Sequence, residues 1–152
     1  MLLLVRHAIA VPGAAWTGAD RDRPLTDAGR RQAERLSAAC APYDVDHVVC
    51  SPALRCVQTV EPTAHARDLA VQPHPHLGEG GRAGAREVLA SLSGADALVC
   101  THADVLDALV RGLTRRGLAL TDPPRWANAE TWVLDESAAS SPSLTRLALT
   151  ST

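Results

Sequence analysis

Two histidines and two arginines lie at or just beyond the ends of apolar runs in this sequence. Arg6 and His7 follow the first run, Arg55 lies shortly beyond the second, and His102 follows another. A neutral histidine is a nucleophile when a hydrogen bond orients its ring. Guanidinium groups stabilise the charge of a phosphoryl group in transfer. These residue types predict attack of a histidine on phosphorus, with the arginines binding the phosphoryl oxygens.

The apolar runs indicate strands that are buried on both faces of a sheet. They cover residues 2–5, 47–50 and 97–101, and helical patterns separate them. In sheets of this kind, ligands bind outside the carboxyl ends of the strands. We therefore expect the two histidines and two arginines to converge on one edge of the sheet.

The remaining pattern predicts an α/β fold. Thr26 is a suitable N-cap for a helix that buries Gly29, Ala33, Leu36 and Cys40. Further expected elements are a helix from an N-cap at Ser51 to about residue 65, helices over 85–92 and from 103 to 113, strands at 69–72, 130–134 and 144–149, a glycine-rich loop at 78–84 and a serine-rich turn at 137–143. The prediction is a three-layer sandwich: a mostly parallel central sheet with helices on both faces and one antiparallel strand near the C-terminal end.

Composition narrows the class of protein. The 152 residues carry a formal net charge of -2, with 46% hydrophobic and 21% charged residues. We expect a single domain over residues 1–152, with no broad surface for nucleic acid or anionic membrane. The apolar opening at residues 1–5 is too short for a signal-peptide core or a membrane span, so we expect a cytoplasmic protein.

The cysteines and histidines do not show a metal-binding pattern. The four cysteines form no CxxC pair, and we interpret them as reduced, structural thiols. His74 and His76 are the only close pair of histidines, and the proline between them indicates an extended loop. We expect neither a metal nor another cofactor.

Four segments resemble the histidine phosphatase superfamily, which includes phosphoglycerate mutases and SixA-type phosphohistidine phosphatases. Residues 3–8 resemble its strand followed by RHG or RHA, and residues 23–33 resemble its LT-x-x-G-x-x-QA helix opening. Residues 51–59 resemble its S-x-x-x-R-x-x-QT segment, and residues 101–103 its second-histidine motif. The order and spacing of the motifs match those of the superfamily from residue 1 to about residue 113, and a weaker resemblance follows at residues 128–131.

The resemblance implies a phosphoglycerate mutase-like fold and a role for each matching residue. His7 would be the phosphorylated nucleophile, and Arg6, Arg55 and His102 would bind phosphate. Each of these residues alone has an ordinary structural explanation, such as a strand end or a solvated helix position. Their coincidence at matching strand ends favours the catalytic interpretation.

The resemblance also implies a general acid. Glu79 fits the family's L-x-E pattern after the third strand, and it would protonate the leaving oxygen and then activate water. The alternatives are that Glu79 is a solvated loop carboxylate and that Asp104, close behind His102, is the acid.

Two segments, residues 55–62 and 99–102, are similar to the phosphatase-like domain appended to certain MutT-type Nudix hydrolases. Some of those domains have lost the second histidine, whereas His102 is present here. We therefore expect an active enzyme.

The expected activity is that of a metal-independent histidine phosphatase. It would hydrolyse a phosphomonoester or phosphoramidate through a phosphohistidine intermediate, acting on a phosphorylated small molecule or a phosphohistidine protein. The alternatives are a phosphomutase, a nucleotide phosphatase of the same superfamily, and a non-catalytic phosphate-binding or dimerisation module. Specificity would lie in the loops at 10–23 and 78–84, with Trp16 as a candidate lid residue. These patterns do not predict the oligomeric state.

Overall fold

A computed structural model describes residues 1–118, 120, 123–136 and 142–148 of the chain. The strands are β1 (Leu2–Arg6), β2 (His47–Cys50), β3 (Val71–Pro73), β4 (Ala97–Thr101), β5 (Thr131–Asp135) and β6 (Ser143–Leu147), and the helices are α1 (Asp27–Cys40), α2 (Leu54–Ala66), α3 (Arg82–Ser91) and α4 (Ala103–Thr114). None of the helices in these ranges is long and apolar enough to cross a membrane.

The strands form one sheet in the order β3-β2-β4-β1-β5-β6. The first four are parallel, β5 is antiparallel to β1, and β6 is antiparallel to β5. Arg6 pairs with Thr101, and Cys50 pairs with Cys100. The carboxyl ends of β1, β2 and β4 therefore lie side by side, as predicted.

Helices cover both faces of the sheet because the side chains of β1 alternate between them. Leu3 packs with Leu36 of α1 and Val60 of α2 in one core. Leu4 packs in a second core with Leu106 of α4 and buried residues of α3. The predicted three-layer α/β sandwich is confirmed.

Helix α1 follows the sequence prediction closely. The Thr26 hydroxyl accepts a hydrogen bond from the Gly29 N–H at 3.0 Å and caps the helix. The buried positions are Gly29, Ala33, Leu36 and Cys40, as the spacing predicted. A local cap and a local period therefore determine this element.

Helix α2 begins later than predicted. Its first residue is Leu54, and its N-cap is Ala53 rather than Ser51. The Ser51 hydroxyl instead lies 2.9 Å from Nε2 of His102. The Ser51 hydroxyl therefore makes a tertiary hydrogen bond instead of capping the helix as its local sequence had predicted.

Other element boundaries also differ from the prediction. Helix α3 begins at Arg82, so Gly84 is helical and the glycine-rich loop ends at Gly81. Strand β3 lies two residues later than expected at its start, and β5 begins one residue later. The described part of β6 ends at Leu147, while the serine-rich turn at 137–141 and residue 149 lie outside the described residues.

All four cysteines are free and buried. Burial raises the pKa of Cys40 to about 11 and that of Cys50 to about 12. These two thiols therefore stay protonated and pack as small apolar groups, in agreement with the structural interpretation.

Candidate active site

His7 follows directly on β1 and is only 8% exposed. Its Nδ1 lies 2.9 Å from the carbonyl oxygen of Ala8. A carbonyl oxygen can only accept, so Nδ1 carries the proton and donates it. The other nitrogen of the neutral ring, Nε2, therefore has a free lone pair.

The surroundings keep this imidazole neutral. Burial lowers the pKa of His7 from 6.5 to about 4, the hydrogen bond to Ala8 opposes the shift, and electrostatic interactions with His102, Arg55 and Arg6 lower the pKa further. At neutral pH the ring is unprotonated at Nε2. It needs no separate base to become a nucleophile.

Backbone hydrogen bonds fix the segment that carries His7. The Ala8 N–H donates to Thr59 Oγ1 at 2.9 Å. Asn128 Nδ2 donates to the His7 carbonyl oxygen at 3.1 Å, and the Ala129 N–H donates to the Arg6 carbonyl oxygen at 3.0 Å. Sequence reasoning gave Thr59 and Asn128 no role beyond motif membership, although both lie in the family-like segments.

The two motif glutamines hold the loop that follows His7. Gln32 Oε1 accepts from the Ile9 N–H at 2.9 Å, and Gln58 Oε1 accepts from the Leu25 N–H at 2.8 Å. A Cβ at Gly29 would overlap the carbonyl oxygen of Ile9. The motif residues of α1 and α2 therefore shape the support of the site rather than its reacting surface.

Arg55 is the second residue of α2, and its side chain is buried, with only 1% of the residue exposed. Nη1 donates to the Asp20 carbonyl oxygen at 2.9 Å and lies 3.0 Å from Asp20 Oδ2. Nη2 donates to Glu79 Oε1 at 2.9 Å. Sequence reasoning did not single out Asp20, which lies inside the predicted specificity loop.

Arg6 ends β1 and anchors one terminal nitrogen, with Nη1 donating to the Trp126 carbonyl oxygen at 2.7 Å. His102 follows β4 and is 3% exposed, with its ring centroid 5.3 Å from that of His7. The structure therefore brings together Arg6, His7 and His102, as predicted from the strand ends.

Glu79 reaches the same place from the loop before α3. Its Oε1 is bonded to Arg55 Nη2 and lies 3.3 Å from His102 Nδ1, outside hydrogen-bond geometry. One carboxylate oxygen therefore sits between two groups that the family resemblance assigns to phosphate. The Glu79 side chain is 60% exposed, which leaves it room to move.

Asp104, the alternative acid, has other partners. Its Oδ2 accepts from the Gly80 N–H at 3.2 Å and from Arg82 Nε at 3.4 Å. Asp104 therefore ties the glycine-rich loop to the start of α4. It still borders a recess of about 340 Å³ lined by Arg6, His7, Glu79, His102, Ala103 and Asp104.

Trp16 lies apart from this recess. Its Nε1 donates to the Ala19 carbonyl oxygen at 3.0 Å within its own loop, and it is not one of the six lining residues. Across the described ranges, no group of three or more histidine, cysteine, aspartate or glutamate residues is arranged to hold a metal ion.

Unpaired nitrogens are found on two residues that line the recess, Arg6 and His102, and on Arg55, which does not line it but is bonded to Glu79 there. In the described part of the chain, four buried side-chain nitrogen or oxygen atoms have no hydrogen-bond partner, and three of them are Arg6 Nε, Arg55 Nε and His102 Nδ1. Leaving a buried donor unsatisfied costs about 1–3 kcal/mol. An anion with several oxygens is the ligand chemistry that would satisfy such a set.

The sequence matches a known protein family over the segment that carries most of these residues. The sequence profile described as "Histidine phosphatase superfamily (branch 1)" matches residues 2–83, which is more than half of the chain. The chain belongs to the histidine phosphatase superfamily. The matched stretch includes Arg6, His7, Arg55 and Glu79, whereas His102 lies beyond it and joins the set through the fold.

Three known proteins are similar to this chain. An 8-oxo-(d)GTP phosphatase of Mycolicibacterium smegmatis is 31% identical over an alignment of 139 residues, and the match covers 88% of this chain and 43% of that protein. The chain thus spans less than half the length of this relative. A protein assigned as phosphohistidine phosphatase SixA from Nakamurella multipartitia is 32% identical, with a TM-score of 0.65 over 88% of this chain and 82% of the other.

The third relative shows the shared fold. The protein histidine phosphatase SixA complexed with tungstate is 23% identical, with a TM-score of 0.73 over 97% of this chain and 96% of that chain. The predicted phosphoglycerate mutase-like fold of the histidine phosphatase superfamily is confirmed.

Proposed function

We propose that this domain hydrolyses a phosphomonoester or phosphoramidate through a phosphohistidine at His7. The observation that carries the proposal is that a nucleophilic nitrogen and unpaired hydrogen-bond donors lie close together. His7 offers a free lone pair at Nε2, and Arg6 and His102 line the same recess with one buried, unpaired nitrogen each. Arg55, which is bonded to Glu79 at the recess, has a third. A nucleophile surrounded by unsatisfied donors suits an electrophile that carries anionic oxygens.

The proposed reaction has two displacements at phosphorus. In the first, His7 Nε2 forms a bond to phosphorus while the bond to the leaving oxygen or nitrogen breaks and the leaving atom takes a proton. In the second, water attacks the phosphorus, the bond to His7 breaks, and inorganic phosphate leaves. Arg6, Arg55 and His102 hold the non-bridging oxygens throughout.

Glu79 is the proposed proton donor and the later base. To act, its carboxylate must leave Arg55 Nη2, where it occupies a donor that the phosphoryl group needs. The exposed side chain permits that movement. Asp104 remains the alternative, although its bonds to Gly80 and Arg82 give it a loop-holding role in the free protein.

We propose that no metal takes part and that residues 1–152 act as one domain. Two guanidinium groups supply the positive charge that a metal would otherwise supply, and the His102 ring adds a hydrogen-bond donor. A SixA-like substrate, a phosphohistidine protein, is the first candidate, because SixA structures share the fold over nearly the whole chain.

A nucleotide is the second candidate substrate. The observation that favours it is the 31% identity over 88% of this chain to an 8-oxo-(d)GTP phosphatase. A phosphomutase or a non-catalytic phosphate-binding module would also use the same donors. A turnover assay separates these alternatives, because only a phosphatase releases inorganic phosphate continuously.

The test is a brief pulse with substrate radiolabelled in its phosphoryl group, followed by denaturation. We expect acid-labile, alkali-stable label on the wild type and none on His7→Ala. His47→Ala is the matched control, because His47 begins β2 at the opposite end of the strand from the site and its side chain is half-buried. Near wild-type turnover by His7→Ala would refute the mechanism.

Substrate class is tested by comparing release of phosphate from a phosphohistidine protein, nucleoside mono- and diphosphates, and sugar phosphates. Turnover should be insensitive to EDTA. Activity that EDTA abolishes and a divalent ion restores would refute the metal-independent proposal.

A further inference from the structure

We propose that Ser51 is a positioning residue that fixes the tautomer of His102, so that its Nδ1–H is presented to the phosphoryl oxygens. The inference rests on the proposed function for its catalytic meaning. The tautomer itself is a property of the free protein and is measurable without turnover.

The hydrogen bonds of Ser51 determine the direction of its O–H. The residue is completely buried, and its Oγ lies 2.9 Å from His102 Nε2. The Ala53 N–H donates to the same oxygen at 3.3 Å. Within the described ranges, His102 Nε2 is the one acceptor at hydrogen-bond distance from this hydroxyl, so the O–H donates to Nε2.

This donation decides which nitrogen of the neutral His102 ring carries the proton. An Nε2 that accepts from Ser51 holds a lone pair, so the proton is on Nδ1. Nδ1 is the nitrogen that lies 3.3 Å from Glu79 Oε1 and has no hydrogen-bond partner. The free protein therefore keeps an unused N–H donor beside the recess.

The opposite tautomer would harm phosphate binding. It would place the Nδ1 lone pair toward the phosphoryl oxygens and leave Nε2–H facing the Ser51 hydroxyl. A donor at the binding site would become an acceptor that repels the ligand. Ser51 prevents this without touching the substrate.

Cys56 is the other polar neighbour of Nε2, and its Sγ lies 3.7 Å away. Burial opposes the shift, but hydrogen bonds with Cys100 and His102 lower the pKa of this thiol to about 6, and a thiolate would accept a proton from Nε2. The Ser51 hydroxyl is much nearer to Nε2, at 2.9 Å, so we assign the choice of tautomer to Ser51.

The first measurement is long-range proton–nitrogen NMR of the ligand-free protein at neutral pH, with His102 assigned by loss of its signals in His102→Gln. We expect a protonated Nδ1 and an unprotonated Nε2 in the wild type. In Ser51→Ala the His102 signals should shift toward a mixture of tautomers, whereas Ser51→Thr keeps a hydroxyl and should keep the wild-type signals.

The second measurement is inhibition by inorganic phosphate. We expect Ser51→Ala to bind phosphate about tenfold more weakly, the effect of losing one hydrogen bond to a charged ligand, with Ser51→Thr close to wild type. Ser91→Ala is the control, because the Ser91 hydroxyl bonds only to the Val88 carbonyl in α3.

A wild-type His102 protonated at Nε2 would overturn the inference, and no variant is needed to see it. Unchanged His102 signals in a folded Ser51→Ala would do the same. Failure of the proposed function has a different signature: the expected tautomer is present, but no label appears on His7.

Discussion

The carboxylate of Asp20 lies 3.0 Å from Nη1 of Arg55, joining an exposed loop to a buried guanidinium. Glu79 occupies the other terminal nitrogen at 2.9 Å. Both terminal nitrogens of Arg55 are therefore engaged by acidic side chains in the free protein. A phosphoryl group that binds Arg55 must compete with both of them.

Asp20→Asn removes one competitor while leaving the backbone carbonyl bond to Arg55 available. We expect inorganic phosphate to inhibit this variant about twofold to fivefold more strongly, the effect of an exposed ion pair worth up to about 1 kcal/mol. Steady-state inhibition constants measure the change. Asp22→Asn is the matched control, because Asp22 pairs with the exposed Arg21 and changes the net charge equally.

The two variants together separate local from general effects. Equal strengthening in Asp20→Asn and Asp22→Asn would show that only net charge matters. Weaker phosphate inhibition in Asp20→Asn would instead make Asp20 a support for the Arg55 side chain.

Glu79→Gln tests the proposed general acid. We expect it to slow hydrolysis of esters with poor leaving groups by about 10²–10⁴-fold, because the leaving oxygen then departs without a proton. Activated aryl phosphates should be affected much less. The ratio of kcat/KM for the two substrate types measures the difference, and Asp104→Asn is the companion variant. Small, equal effects of Glu79→Gln on both substrate types would contradict the role of Glu79 and make Asp104 the candidate acid.

The buried His7 makes stability depend on pH. Its pKa is about 4 in the folded protein and near 6.5 when unfolded, so the unfolded chain binds more protons between these values. Stability should therefore fall as pH drops through this window, by up to about 3 kcal/mol. Urea unfolding at several pH values should show this loss in the wild type and in His47→Gln. His7→Gln should show a shallower dependence, and parallel curves would contradict the assignment.

Asp20 adds a second pH dependence of folding stability, at lower pH than that of His7. Burial acts against the shift, but hydrogen bonds and charges from Arg23 and Arg55 hold the pKa of Asp20 below its usual value of 3.8. Its stabilising contribution is present above that value and is lost as pH falls through the lower folded pKa.

Gly29 tests the support of the loop after His7. In Gly29→Ala the new Cβ would overlap the Ile9 carbonyl oxygen, so we expect a destabilisation of about 1–3 kcal/mol. Gly112→Ala is the matched control in α4, where the Cβ would meet only the flexible end of Arg86. Helix propensity then predicts a gain of up to about 1 kcal/mol. Urea unfolding measures both, and equal stabilities would contradict the close packing at Gly29.

The elements that local chemistry determines could be predicted from the sequence. The N-cap Thr26 and the spacing of the four buried residues define α1, because the cap and the buried face lie within one segment of the chain. Strand ends also indicated that Arg6, His7 and His102 would meet, since parallel strands share an edge. Only residues 51–53 separate β2 from α2, and Arg55 reaches the site through its bond to Glu79.

Contacts between distant side chains could not be predicted in the same way. Ser51 offers the same local signal whether its hydroxyl caps a helix or binds His102, and only the fold decides. Asp20 and Glu79 reach Arg55 from two loops whose paths depend on packing. The L-x-E pattern located Glu79 but did not indicate that its carboxylate would accept a hydrogen bond from Arg55 Nη2.

Strand β1 has its neighbours far along the chain: Leu2 pairs with Ala97 on one side and with Leu134 on the other. Such long-range pairing slows folding. At a synthesis rate of about 5–20 residues per second, roughly 5–20 s pass between the appearance of Leu2 and that of Ala97 on the ribosome. During that time the apolar segment that forms β1 has no partner strand and can aggregate or form non-native contacts. The His7 N–H donates to the Thr101 carbonyl oxygen of β4 at 3.1 Å, so the segment that carries His7 reaches its folded position only after β4 has joined the sheet.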